Sequence, residues 1–91
     1  MAQILKANGD IIENVMPQKG KHFSLKEMQE IVDGYIEILD LQNGKLIILN
    51  EEGKLEGLPY NMAATIMYRS AYMTYDYIVG DVLVCDKNQI R

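Results

Sequence analysis

Two Asn-Gly pairs, Asn8-Gly9 and Asn43-Gly44, constrain the fold of this chain more than any other feature of its sequence. A two-residue type I′ turn requires positive φ at both central positions, and Asn-Gly adopts that geometry readily, so each pair predicts a β-hairpin. A chain of 91 residues is long enough for one hydrophobic core and too short for two. Both hairpins therefore belong to a single small domain, residues 1–91.

Helix signals occur at two places along the chain. Residues 24–27, Ser-Leu-Lys-Glu, have the form of a capping box, and apolar residues follow at helical spacing. Asn61 can cap a second helix directly after the rigid turn at Pro59. The predicted strands span residues 3–7, 10–15, 35–42, 45–50, 54–57 and 78–85, the predicted helices span 24–33 and 61–74, and residues 86–91 are expected to form a frayed end. These elements predict an α+β fold, with a mainly antiparallel sheet of about five or six strands built from β-hairpins and two α-helices.

The register of the second hairpin decides which side chains share a face of the sheet. If Asn43-Gly44 is a two-residue loop, Glu37 lies directly opposite Asn50. The remaining side chains of both strands are mostly leucine and isoleucine on either face. Since two apolar faces both need a cover, we expect the helices on one face and a further strand layer or a second subunit on the other.

Composition narrows the classes of function. Thirteen acidic residues against nine Lys and Arg give a formal charge of −4, which argues against non-specific binding to nucleic acid or to an anionic membrane. A single cysteine and a single histidine exclude an internal disulfide and a paired-histidine metal site, so we expect no metal and no cofactor. No apolar run is long enough for a secretory signal or a membrane span, and the unpaired Cys85 fits a reducing compartment. We therefore expect a cytoplasmic protein.

Two polar features suggest a ligand site. Glu37 and Asn50 are polar residues on an apolar sheet, where they form a structural hydrogen bond, reach water at the strand end, or anchor a ligand in an apolar pocket. The start of the second helix, at Asn61, presents either an ordinary cap or free amides that suit an anion. The candidate ligand-binding residues are Glu37, Asn50, Tyr60, Asn61 and Thr65.

The second predicted helix is apolar on two sides. The side that we expect to dock on the sheet comprises Met62, Ala63, Ile66, Met67, Ser70 and Met73. The opposite side carries Tyr68, Tyr72 and Tyr75, with Arg69 adjoining, and these four residues are the candidate interface. The alternatives are a second packing face within the chain and a surface that stacks on bases. An uncovered tyrosine stripe predicts a homo-oligomer.

Several short motifs in order resemble one known family. They are Val-Asp-Gly-Tyr-Ile-Glu at residues 32–37, Asn-Glu-Glu-Gly-Lys at 50–54, Gly-Leu-Pro-Tyr-Asn at 57–61 with Ala64, and Ile-Val-Gly-Asp-Val at 78–82. Over roughly residues 24–85 the chain resembles the domain-of-unknown-function 3846 family, small proteins carried by phages and conjugative elements. Residues 67–77 lie where members typically place few residues, so the tyrosine stripe is a departure from the family's pattern.

The resemblance implies a location of the gene in a phage or conjugative element, and it implies no particular chemistry. Small proteins of such elements are often accessory factors, including inhibitors of host defence. We accordingly expect a non-enzymatic accessory protein of phage or mobile-element type that acts by binding, as a homo-oligomer that sequesters or blocks a host component. The alternative is a protein that binds or sequesters a small, nucleotide-like molecule. A hydrolase that uses Glu37, or Glu51 and Glu52, is disfavoured because no His, Cys or Ser is placed to act as base or nucleophile.

Overall fold

The computed structural model describes the whole chain, Met1–Arg91, as a five-stranded sheet with two α-helices and one short 3₁₀ helix. In chain order the elements are β1 (Ala2–Leu5), β2 (Ile11–Val15), α1 (Leu25–Val32), β3 (Ile36–Asp40), β4 (Lys45–Asn50), α2 (Met62–Tyr72), β5 (Val82–Asp86) and the 3₁₀ helix (Lys87–Gln89). All strand pairs are antiparallel, and the spatial order is β2-β1-β5-β4-β3. The predicted α+β class is confirmed. Neither α-helix combines the length and the apolar character that crossing a membrane requires.

The two helices cover opposite faces of the sheet. Met28 of α1 packs in one hydrophobic cluster with Leu46 and Ile48 of β4. Ala64 of α2 packs in a second cluster with Ile47. Because neighbouring positions in a strand point to opposite faces, the sheet is the middle of three layers. Two apolar faces were predicted correctly, but the expected cover was wrong: each face receives one helix, and neither needs another strand layer or a second subunit.

Helix α1 begins at the predicted capping box. Ser24 Oγ accepts from Glu27 N at 3.1 Å, and Glu27 Oε2 accepts from Ser24 N at 2.8 Å. The helix ends at Asp33, which adopts a left-handed φ of 60°. Gly34 follows, and a Cβ atom there would lie 2.6 Å from Asn50 Nδ2. The absence of a side chain at Gly34 therefore lets Asn50 approach the end of α1.

The loop between β3 and β4 is longer by one residue than the sequence predicted. Leu41 N donates to Lys45 O at 2.9 Å, which closes a three-residue loop. Within this loop Gln42 and Gly44 have positive φ values of 64° and 87°. The pairing of β3 with β4 is shifted by one residue as a consequence.

This shift separates two residues that the sequence placed side by side. Asn50 lies opposite Ile36, and Glu37 lies opposite Leu49. A one-residue change of register moves a side chain to the other face of the sheet. Glu37 therefore faces the side of α2 and Asn50 the side of α1, so their predicted cross-strand pairing is wrong.

Three boundaries in the second half of the chain also differ from the prediction. Residues 54–57 form turns instead of a strand. The last strand begins at Val82, later than predicted, and Val79 before it forms an isolated bridge with Tyr60. The end of the chain is ordered instead of frayed. Phe23 N donates to Gln89 O at 2.7 Å, which attaches the 3₁₀ helix to the segment before α1.

Candidate binding surface

Helix α2 docks on the sheet mainly through two small side chains that the predicted docking side did not include. Ala64 and Thr65 are buried against the sheet, whereas Met62, Ile66 and Met73 are largely exposed. Small side chains allow the helix axis to approach the sheet closely, and Met62 and Met73 are left outside while Met67 is partly buried. The predicted docking side is therefore correct for Ala63 and Met67, which pack on the core, and wrong for Met62, Ile66 and Met73.

Asn61 is fully buried, and its amide group is used within the chain. Its Oδ1 accepts from Ala64 N at 3.0 Å and caps α2 as predicted. Its Nδ2 donates to Leu5 O at 2.9 Å and to Gly80 O at 2.8 Å. The side chain thus ties the start of α2 to β1 and to the segment before β5, and it presents no exposed group to an anion.

Thr65 and Asn50 are also occupied by structural contacts. Thr65 Oγ1 accepts from Ile78 N at 2.9 Å and donates to Ile78 O at 3.3 Å. Asn50 Nδ2 donates to Val32 O at 3.2 Å and to Asp33 O at 3.1 Å, at the end of α1, and Oδ1 accepts from Glu52 N at 2.8 Å. Glu37, Asn50, Asn61 and Thr65 therefore do not form the predicted pocket together, and of the four only Glu37 and Asn50 line a common cavity.

Glu37 instead lines a small cavity beside α2. The cavity has a volume of about 140 Å³, and its walls include Lys54, Tyr68, Asp76 and Tyr77. Lys54 Nζ donates to Asp76 Oδ1, and this hydrogen bond raises the pKa of Lys54 and lowers the pKa of Asp76. Pockets that enclose small organic ligands are usually about 300–1,000 Å³, so a nucleotide does not fit this space.

An exposed apolar surface adjoins the cavity, and we call it the aromatic patch: Leu55, Tyr60, Tyr75 and Tyr77. The rings of Tyr60 and Tyr77 lie 6.0 Å apart between centroids, tilted by 35°. Lys54 Nζ lies 4.2 Å from the centroid of Tyr77, as in a cation–π contact. Tyr75 is 97% exposed and Leu55 is 87% exposed, so the patch presents large apolar side chains directly to its surroundings.

Arg69 and Asp76 hold the loop that carries Tyr75. Arg69 Nε donates to Asp76 O at 3.0 Å, and Nη2 donates to Tyr75 O at 3.0 Å. Asp76 N donates to Thr74 Oγ1 at 3.1 Å, and Asp76 Oδ1 accepts from Tyr77 N at 2.8 Å. Arg69, predicted as an interface residue, thus positions the patch from within the chain.

The predicted tyrosine stripe divides into three environments. Tyr68 is half-buried on the cluster beneath α2, and burial raises the pKa of its hydroxyl. The ring of Tyr72 packs edge-on against the ring of Tyr68, with 5.5 Å between the ring centroids. The Tyr72 hydroxyl donates to Asp40 O at the end of β3. Tyr75 alone of the three is almost fully exposed. Sequence reasoning missed Leu55 and Tyr77, since a single apolar residue in a polar turn is common on protein surfaces and carries no signal of its own.

The single cysteine is unsuited to nucleophilic chemistry. Cys85 is fully buried, and burial raises the pKa of its thiol to about 11. The thiol is therefore protonated at neutral pH, and the thiolate is the reactive form. No group of three or more His, Cys, Asp or Glu side chains is arranged to hold a metal ion.

Comparison with known proteins gives one match. The family model described as Domain of unknown function (DUF3846) matches residues 7–90 of the 91 residues. The match extends beyond the region of the sequence resemblance at both ends and includes the patch residues. No curated protein and no solved structure matches the chain.

Proposed function

The chain belongs to the DUF3846 family, and we propose that this member is a non-enzymatic accessory protein of phage or mobile-element type that acts by binding another protein. The aromatic patch is the observation that carries this proposal. Tyrosine and other large apolar side chains are enriched where protein interfaces are buried. Monomeric soluble proteins seldom expose contiguous apolar surface of this kind without a use for it.

The patch is held in a fixed conformation before any partner arrives. The Lys54–Asp76 ion pair connects the turn that carries Leu55 to the loop that carries Tyr75 and Tyr77. A preorganised surface loses less conformational entropy on binding than a flexible one. This rigidity supports recognition of a protein surface by the patch.

The resemblance to proteins carried by phages and conjugative elements supports a target protein in the host cell. The proposed outcome of binding is that a host-defence component is sequestered or blocked in the cytoplasm. Self-association belongs to the same proposal through the patch alone, because α1 already covers the sheet face that had suggested a second subunit. A nucleotide-like ligand has less support, since Asn50, Asn61 and Thr65 use their polar atoms within the chain.

The test compares two pairs of substitutions in the affinity-tagged full chain. Each variant is expressed in cells of the bacterium that carries the gene for this protein. Leu55→Ser/Tyr75→Ser removes the two most exposed patch residues. Ile11→Ser/Met16→Ser removes two apolar residues that are exposed on and beside β2, at the opposite edge of the sheet from β3. Circular dichroism checks that both variants fold. We expect at least one protein to be captured by the wild type and by the control pair and to be lost from the patch pair. An identical set of captured proteins for both pairs contradicts the proposed function.

A further inference from the structure

Strand β3 forms one edge of the sheet and pairs with β4 alone. Glu51 N donates to Tyr35 O at 2.8 Å, which identifies the odd-numbered positions along β3 as those hydrogen-bonded to β4. In an antiparallel pair, hydrogen-bonded positions alternate with positions whose backbone groups point the other way. The backbone N–H and C=O groups of Ile36 and Ile38 therefore point outward, away from the sheet.

The two edges of the sheet differ in how they are protected. The opposite edge, β2, is irregular: its pairing shifts between Ala2 and Ile4, and Asn14 has a left-handed φ of 57°. Such a bulge disrupts further pairing. Along β3 the pairing is regular. A side chain covers only the last residue of the strand, where the Tyr72 hydroxyl donates to Asp40 O. A regular, uncovered edge is a template for one more strand.

A groove follows this edge on the side of α1. The side chains of Ile36 and Ile38 form one wall, and residues 19–25, Met28, Ile90 and Arg91 form the rest. The groove has a volume of about 580 Å³, which is enough for several apolar side chains. Apolar side chains that alternate along an added strand would enter it, because alternate positions point to the same face.

The groove carries a positive charge that the chain does not neutralise. Lys19, Lys21 and Arg91 line it, and no Asp or Glu side chain does. The ion pairs of the chain involve other cations, so these three are free. In a protein with a formal charge of −4, this concentration of unpaired cations favours an acidic partner.

We propose that the open edge of β3 and this basic groove bind an extended acidic segment of another protein, which joins the sheet beside β3. The backbone of the segment pairs with Ile36 and Ile38, and the side chains at every second position point into the groove. Among these, apolar side chains pack beside Ile36 and Ile38, and carboxylates meet Lys19 and Lys21. The inference rests on the proposed function, because it names the kind of partner segment that the protein binds.

A second copy of this chain fits the edge less well. Two β3 strands pair in antiparallel fashion about a two-fold axis perpendicular to the sheet. That symmetry places the α1 helices, and both sets of groove cations, on the same face of the joined sheet. Like charges brought together in this way oppose association. An acidic segment meets no such opposition.

The test uses the full chain and a blocked seven-residue peptide, Glu-Thr-Ile-Thr-Ile-Thr-Glu, followed by NMR; as a strand, this peptide presents its glutamates and isoleucines on one face. At saturation, the amides of Ile36 and Ile38 should exchange with solvent about tenfold more slowly, because the peptide covers their outward hydrogen bonds. Lys19→Glu/Lys21→Glu should weaken binding by about tenfold, since modest surface charge interactions add. Lys6→Glu/Lys26→Glu changes the net charge equally outside the groove and should bind the peptide as the wild type does.

Three results overturn the proposal: unchanged exchange at Ile36 and Ile38 at millimolar peptide, equal binding by the two lysine variants, or equally tight binding of a peptide whose alternate amides carry N-methyl groups. The last result excludes strand addition because the N-methyl groups block backbone pairing. Failure of this experiment leaves the capture experiment on the aromatic patch intact, and the reverse also holds, because the two sets of substitutions share no residue.

Discussion

Asn61→Asp tests whether the buried amide group of Asn61 joins three parts of the fold. The introduced carboxylate can still accept from Ala64 N, but it cannot donate to Leu5 O and Gly80 O, which Nδ2 reaches at 2.9 and 2.8 Å. Leaving a buried carbonyl without such a donor costs about 1–3 kcal/mol. The two losses together predict a decrease of about 2–6 kcal/mol in the free energy of unfolding. That is a large share of the roughly 5–14 kcal/mol expected for 91 residues.

The assay is urea unfolding followed by far-ultraviolet circular dichroism, with Asn43→Asp as the matched control. Asn43 Oδ1 accepts from Lys45 N at 3.1 Å, its amide nitrogen has no partner, and the side chain is exposed. The control should remain within about 0.5 kcal/mol of the wild type. Equal stability of the two variants would refute the assignment of Asn61 as a structural residue.

The pH dependence of Asn61→Asp follows from the same contacts. Burial among carbonyl oxygens should raise the pKa of the introduced carboxyl above its unfolded value of about 3.9. The unfolded chain then releases that proton more readily, so the loss of stability grows as the pH rises above the unfolded value. We expect a smaller difference from the wild type at pH 4 than at pH 8.

Tyr68→Ser should lower the free energy of unfolding by about 2–4 kcal/mol because its ring packs on the core, whereas Tyr75→Ser should change it by less than about 0.5 kcal/mol; thermal melts of the two variants compare these directly. Cys85 should resist iodoacetamide in native buffer and react in urea, because its thiol is buried and its pKa is raised to about 11; rapid labelling of the native protein would contradict this. Hydrogen bonds from Lys54 and Lys45 hold the pKa values of Asp76 and Asp86 below the ordinary value of 3.8. These carboxylates therefore stabilise the fold above pH 3.8, and this stabilisation is lost as the pH falls through their folded pKa values. A melting temperature that stays the same from pH 5 to pH 2 would show that these pairs contribute nothing.

Local signals predicted the elements best where the geometry depends on a few neighbouring residues. The capping box at Ser24 and the cap at Asn61 both formed as predicted. The Asn43-Gly44 pair correctly predicted a hairpin but not the length of its loop, because Gln42 adopts a left-handed φ of 64° that its residue type does not favour. That single extra residue in the loop placed Asn50 opposite Ile36, so its amide bonds to the end of α1 instead of pairing with Glu37, although both residues still line one small cavity.

Long-range packing accounts for the remaining differences. Helix α2 has two apolar sides, and hydrophobicity alone favoured the methionines, whereas Ala64 and Thr65 dock because they are small and Thr65 bonds to the backbone of Ile78. The aromatic patch had no periodic signal at all. An ion pair between Lys54 and Asp76, 22 residues apart in the chain, brings its two segments together.

The most direct test of the account is photo-crosslinking from within the aromatic patch. Tyr75 is replaced by p-benzoylphenylalanine in the full chain. This variant is expressed in cells of the bacterium that carries the gene for this protein, and the cells are then irradiated. Because Tyr75 is 97% exposed, the substitution leaves the fold intact. The matched control carries the same group at Met16, which is 77% exposed outside the patch and away from the β3 edge.

If the protein acts by binding through this patch, the probe at position 75 forms a defined adduct with another polypeptide, and the probe at position 16 does not. The mass of the adduct distinguishes a second copy of the chain from a host protein. The absence of a defined adduct from position 75, or the same adducts from both positions, would contradict the proposal that the aromatic patch is a protein-binding surface.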